Sequence, residues 1–384
     1  MRTTESTAAA AARIGAGLGR RKRAELSVLL RSCLTRVEPW LQVGKYVSAV
    51  ASGMARRNGW TIAEQAGDRT PDKTQRLLNR AVWDAFAAMS VVRRFAVAGL
   101  DEAAGRSGRR GGLVSGALDE TGQLKAGTAT AGVKRQYLGC AGKVANGINT
   151  VHLSYVRKRT GHALIGARQW ILAEHISDPA KAAAMGLPAG LVFRTKGQLA
   201  IDICADAFTD RVRFDFICGD EVYGNCTELR EFCEEATAPP GHPVTTTRLI
   251  RVAGLRWPVE EDFEFGKDCF GLDQSQVRRY TAIARHTVLV MAALAACAVT
   301  AASLRDRTDT QAPPPARPGQ PAPADLGMIP LTVPETARLL SAATSVHHPP
   351  GHVEHWSAWR RCHQARSRWY HQRARLIRDN ALVS

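Results

Sequence analysis

At 384 residues the chain is long enough for one large domain or two ordinary ones with a sizeable buried core. Lys and Arg number 52 against 35 Asp and Glu, a net charge of +17 that points to a polyanionic partner, nucleic acid first. Nine cysteines form no C-x-x-C pair and no zinc-finger spacing, and an odd number without a secretory leader reads as reduced thiols in a cytoplasmic protein.

Residues 1–25 read as a disordered basic arm: an Ala run, then Gly, then Arg20-Arg21-Lys22-Arg23. No apolar segment follows those charges, so the arm is not a signal peptide. From 26 to about 105 the apolar spacing is helical, with a cap-like start at Thr70-Pro71. Short basic helices joined by Gly-containing turns suit a helical DNA-binding region, although a plain helical subdomain has the same pattern. From 106 the composition changes. "LVSGALD" reads as a short strand ending at Asp119, and "GINTVHLSYVRK" and "GHALIGARQWI" as two more strands. "PAKAAAMGL" reads as a helix. "RVRFDFICGDEVYG" alternates through Val212, Phe214, Phe216 and Cys218 and stops at Asp220, after which "NCTELREFCEEA" is helical. Strands first, helices after and acids at strand ends predict an α/β layer fold.

The stretch "RWPVEEDFEFGK" predicts a helix with Arg256, Glu260, Glu264 and Lys267 within roughly 80° of one another at about 100° per residue. Val259, Phe263 and Phe270 form the bordering apolar stripe. Pro258 belongs in a first helical turn, which places Arg256 just ahead of regular helix. A solvated face with intrahelical ion pairs would look the same. The apolar run Thr287–Ala302 is shorter than the roughly 20 residues a membrane span needs, so it reads as a buried core helix and no membrane partner is expected. Six prolines between 313 and 323 mark 303–326 as an extended linker. The tail, 327–384, mixes Trp356, Trp359, Trp369 and Tyr370 with seven arginines between 360 and 378. That composition fits a nucleic-acid contact, and it equally fits a basic helix docked by its tryptophans. His347, His348, His352 and His355 hint at metal binding but sit among prolines, which favours an adventitious cluster. His286, beside a core helix, reads as a hydrogen-bonded histidine.

Asp119, Asp220 and Glu260 then stand out as two strand-end carboxylates and one helical one. Clustered carboxylates of this kind hold two Mg²⁺ about 4 Å apart in phosphodiester chemistry, although strand-end Asp residues are also common turn formers. The wording around them carries a resemblance. "LDETGQLKAGTATAGVKRQYLGCAGKVANGINTVHLSY", "FICGDEVYGNCTELREFCEE" and "RVAGLRWPVEEDFEFGKDCFGLDQSQVRRYTAIARHTVLVMAALA" resemble, in order, the three catalytic blocks of bacterial insertion-sequence transposases of the DDE superfamily. The likeness extends from about residue 36 into the tail.

The resemblance implies an α/β, RNase H-like catalytic core over 106–302, an N-terminal helical DNA-binding region over 26–105 and a basic C-terminal tail. It implies Asp119, Asp220 and Glu260 as catalytic metal ligands, and two Mg²⁺ (or Mn²⁺) ions per site. Arg256-x3-Glu260-x6-Lys267 is similar to the family's Tyr-Arg-Glu-Lys signature, which implies phosphate contacts for Arg256 and Lys267; the Tyr position holds Ala253. Lys125, Arg135 and Lys143 lie in the first block as further candidate DNA contacts, with solvated surface charge the alternative for each. The implied partners are double-stranded DNA, as terminal repeats and as target, with a homodimer on DNA by analogy and a nucleoid-associated location. One departure matters. The acids are separated by 220 − 119 = 101 and 260 − 220 = 40 residues, and the second interval is much longer in the family. A stretch near 236–250 is missing, so the alternative is a catalytically inactive remnant that only binds DNA.

Overall fold

The computed structural model describes residues 2–109, 111–237, 245–344, 346 and 348–381. The chain begins with α1 (Arg2–Leu29), α2 (Val37–Val50), α3 (Gly59–Gln65), α4 (Asp72–Asn79) and α5 (Ala85–Arg106). The strands β1 (Val114–Leu124), β2 (Lys134–Leu138), β3 (Lys143–Arg157) and β4 (Gly161–Gln169) follow. Next come α6 (Ala173–Ile176), α7 (Pro179–Met185), α8 (Lys196–Thr209), β5 (Phe216–Cys218), α9 (Glu221–Gly224), α10 (Thr227–Thr237) and α11 (Thr246–Ala253). The chain closes with α12 (Pro258–Phe270), α13 (Tyr280–Thr308), α14 (Val333–Ala343) and α15 (His352–Ala381).

Local chemistry sets many of these boundaries. Asn58 and Thr61 form a reciprocal capping box at the start of α3, and Thr195 and Gln198 form another at α8. Pro258 occupies the first turn of α12, where its missing N–H costs nothing, and Gly271 ends that helix in the left-handed conformation (φ 70°). Arg256 therefore lies just outside the helix.

The strands form one mixed sheet. β1 pairs antiparallel with β3 from Val114↔Arg157 to Leu124↔Gly147 and parallel with β5 from Ser115↔Phe216 to Ala117↔Cys218. The other edge of β3 takes β2 along its first residues and β4 along Thr150–Arg157. The sheet thus runs from β2 and β4 through β3 and β1 to β5 at its edge. At Leu153/Ser154 the register shifts and leaves Ile165 unpaired; its carbonyl accepts from the buried Arg93 Nε of α5 at 3.0 Å. Helices cover both faces. α12 lies on one, where Ser154 donates to Asp262. α8 lies on the other, where a Cβ at Gly166 would come within 2.3 Å of Ile203, so only glycine allows this approach.

The apolar run 287–302 is the interior of α13, buried along almost its whole length. α1, α2, α5, α12 and α14 pack around it with β4, giving one continuous core.

Several elements differ from the sequence expectation. The arm expected to be disordered is helical from Arg2, and a Cβ at Gly19 would touch Leu340 of α14 at 2.8 Å, a close apposition of two helices. β1 does not stop at Asp119 but continues five residues to Leu124; antiparallel pairing with β3 carries it past the Gly and polar residues that weaken it in isolation. β2 was not foreseen. Only Phe216–Cys218 of the alternating 212–218 stretch pairs. The Pro-rich segment after α13 has no helix or strand but folds back on itself through Thr310 N–Met328 O and Ala312 N–Leu326 O bonds of 3.0 Å. The stretch near 236–250 expected to be shortened falls in part on 238–244, outside the described residues.

Candidate active site

Asp119 lies in the middle of β1, opposite His152 in register, and is 7% exposed. Side chains alternate along a strand, so Asp119 faces α12 while Glu120 faces α8. On the α12 side the His152 ring meets Phe263 edge-on at 5.3 Å. On the α8 side Glu120 pairs with Lys196 and accepts from the Tyr223 hydroxyl at 3.0 Å.

Asp220 follows β5. Ala117 pairs with Cys218, and two residues further along each chain stand Asp119 and Asp220. Asp220 caps α9, its Oδ1 accepting from Val222 N at 3.0 Å and Tyr223 N at 3.4 Å. Glu260 sits in the first turn of α12. Arg256 joins two of the acids: its Nη1 donates to Asp119 Oδ2 at 3.0 Å and lies 3.8 Å from Glu260 Oε1.

The electrostatics agree with this grouping. Burial pushes the Asp119 carboxyl up to about 6; the Glu120 N–H opposes that, Glu260 and Asp220 add to it, and Arg256 opposes it. The site therefore holds an excess of negative charge that one guanidinium only partly offsets. Among the described residues no three His, Cys, Asp or Glu side chains converge closely enough to hold a metal ion between them. Arg256 lies between two of the acids instead. Hard carboxylate oxygens with surplus negative charge are the donor set a hard divalent cation takes, so the residues fit Mg²⁺ or Mn²⁺, provided Arg256 yields.

The other sequence candidates have diverse settings. Lys267 lies two turns along α12 with its Nζ 5.9 Å from the Phe263 ring. Burial, with the charge of Lys267 adding to it, depresses the His152 pKa to about 3. The Nδ1 of that neutral His152 has no hydrogen-bond partner among the described residues. Lys125 donates to Ser275 O at 2.6 Å, and burial lowers its pKa to about 8. Arg135 on β2 and Lys143 at the start of β3 are exposed and remote in sequence from the acids. The rivals to Glu260 divide: Glu264 is exposed, whereas Glu261 pairs with His162. Burial disfavours a charge on His162, but Asp262 and Glu261 outweigh it and raise its pKa to about 10, a structural clamp between β4 and α12. His286 is hydrogen-bonded to Tyr46 and the Gly271 carbonyl. His352 and His355 pin α15 to the Glu64 and Arg69 carbonyls and are not a free cluster; His347 lies outside the described residues.

Sequence reasoning overlooked Glu120, Lys196, Tyr223 and His152. Glu120 adjoins Asp119, His152 and Tyr223 are ordinary residues of the quoted blocks, and Lys196 lies outside them. Their proximity depends on strand register and on how α8 docks.

A sequence model of the family described as DDE superfamily endonuclease matches residues 30–258, more than half of the chain. The chain belongs to the DDE superfamily endonucleases. Its single mixed sheet with flanking helices is consistent with an RNase H-like core. The matched span of this DDE endonuclease includes Asp119, Asp220 and Arg256 and stops two residues before Glu260. No curated protein matches the chain.

Proposed function

We propose that this DDE endonuclease is a DNA transposase that cuts and rejoins strands at the ends of an insertion sequence, with Asp119, Asp220 and Glu260 as its catalytic carboxylates. The observation that carries the reading is the Asp119–Arg256–Glu260 chain beside Asp220, in which burial, with Glu260 and Asp220 adding to it, raises the Asp119 pKa. The three acids would hold two Mg²⁺ or Mn²⁺ ions, which supply activation of the attacking oxygen and stabilisation of the leaving one. Asp119, on a central strand, is the rigid member. Asp220 depends on the short β5 and the α9 cap, and Glu260 on the first turn of α12. Arg256, released from a carboxylate, is placed to pair with a phosphate oxygen beside the cut. Lys267 extends that positive edge along α12, and Lys196 offers a second cation on the Glu120 side. Lys125, Arg135 and Lys143 would meet DNA further from the cut, and two DNA ends held together imply a dimer on DNA.

A second reading, a remnant that binds DNA without cutting it, is favoured by one observation. β5 is a three-residue edge strand with no strand beyond it among the described residues, so Asp220 has little support.

The test is Mg²⁺-dependent nicking of duplex DNA flanking the gene, with Asp119→Ala and Glu260→Ala beside the parent. Cleavage that each substitution lowers by about three orders of magnitude is the expected result, the scale lost with a group that stabilises transition-state charge. Binding without nicking by the parent would establish the remnant reading.

A further inference from the structure

A cavity of about 1010 Å³ opens between the N-terminal helices, the start of β2, α7 and the segment leading into α13. None of the three acids lines it, so it lies apart from the candidate active site. Its walls are cationic. Lys134 and Arg135 project from β2, and Arg278 and Arg279 from the segment before α13. All four are exposed, and none has an ion-pair partner among the described residues. Glu174 is the one carboxylate in the described lining.

These charges are held in place rather than scattered. Ala131 N donates to Arg278 O at 2.9 Å, tying the connection before β2 to the segment carrying Arg278 and Arg279. Gln123 of β1 and Lys125, the residue after that strand, both donate to Ser275 O, at 2.7 and 2.6 Å, fixing the same segment to the strand that carries Asp119. The opposite wall is α4, which presents Gln75 and Asn79, four residues apart on one exposed face. His175, 6% exposed, also lines the cavity, and its Nδ1 has no hydrogen-bond partner among the described residues.

We propose that this cleft is a second DNA-binding site, which takes the sugar–phosphate backbone of the duplex flanking the cut while α4 presents Gln75 and Asn79 to base edges. Fixed, unpaired cations at a concave wall suit phosphates, and Gln and Asn are side chains that read adenine in the major groove. The spacing fits one continuous duplex. Lys134 shares the β3 partner Gly147 with Leu124, which lies five residues along β1 from Asp119, about 17 Å at strand rise, and phosphates follow one another about every 3.4 Å along each strand. The cations of the cleft therefore begin about five nucleotides from the catalytic Asp. The inference rests on DNA as the substrate of the proposed function but not on cleavage.

The test measures binding of the full chain to a fluorescent duplex from the DNA flanking its own gene, and to a scrambled duplex, over a range of salt concentrations. The variant Lys134→Gln/Arg135→Gln/Arg278→Gln/Arg279→Gln is expected to bind both duplexes at least about tenfold more weakly. Its log–log salt slope should be lower by about 3.6, near 0.9 for each phosphate that is no longer neutralised. Gln75→Ala/Asn79→Ala should leave the slope unchanged and reduce the preference for the native duplex by about tenfold. Arg211→Gln/Arg213→Gln removes exposed charge near the far end of β1 and should preserve the parent's slope. Parent-like affinity and slope in the fourfold variant, or an equal loss per charge in the Arg211/Arg213 control, would overturn the proposal. A parent that binds through the cleft without nicking would remove the catalytic reading alone, whereas a fourfold variant that binds and nicks like the parent would remove this one alone.

Discussion

Asp119 shows how burial and like charge give a carboxylate its character. Its pKa stands near 6 in the folded chain, against an ordinary value of 3.8. A folded-state pKa above the unfolded one means that the folded chain binds the proton more tightly. Its contribution to stability is therefore present below about 3.8 and lost as the pH rises through 6. Above pH 6, without divalent cations, Asp119→Asn should stabilise the protein by up to about 3 kcal/mol, because it removes a buried, under-compensated charge. The same substitution should abolish nicking. Thermal unfolding at pH 4 and pH 8 checks the first point: the gain should be clear at pH 8 and small at pH 4. A variant less stable than the parent at pH 8 would show that the Arg256 bond outweighs the repulsion.

Among the elements, α15 bears out the docked reading of the tail composition in its first turns alone. Its first turns are docked: Trp356 is fully buried and its Nε1 donates to Asp68 O at 2.9 Å, while Trp359 packs edge-on against Trp60 at 5.0 Å. Beyond Arg360, which pairs with Glu64, the side chains through 379 are exposed, including Trp369 and Tyr370. Both sequence alternatives drew on the same residues, because composition does not say which tryptophan meets a partner. Trp356→Ala should cost about 3–5 kcal/mol locally. Amide hydrogen exchange along 352–363 should then accelerate while α13 keeps its protection; unchanged exchange in 352–363 would refute the anchoring role. Trp60 also lines the basic cleft, so the docked end of α15 buttresses that wall.

Across the whole molecule, the N-terminal helices and the sheet share one core. α13 contacts α1, α2, α5, α12, α14 and β4, and Arg57, in the α2–α3 connection, donates to the Val50, Ser52 and Cys269 carbonyls, bridging both parts. A sequence division at about 105 marks a change of secondary structure and not a break in packing. Heating should therefore give a single cooperative transition with equal calorimetric and van't Hoff enthalpies. Two resolved transitions would mean that the helical part folds by itself.

The amino-acid order alone determined much of this protein. Apolar periodicity located α12 and a continuous apolar run located α13, Pro258 marked the start of α12, and strand patterning located β3 and β4, because these patterns depend on neighbours within a few residues. The blocks around Asp119 and Asp220 pointed to the family that the comparison bears out. Tertiary structure decided what local pattern does not encode. The parallel pairing of β5 with β1 brings Asp220 toward Asp119 across about a hundred residues. The docking of α12 places Arg256 between Asp119 and Glu260. The sheet and helices together set Arg278 and Arg279 beside Lys134 and Arg135. Each of these juxtapositions depends on long-range register and helix packing, where the free energy is shared among many contacts and no short stretch of sequence specifies the outcome.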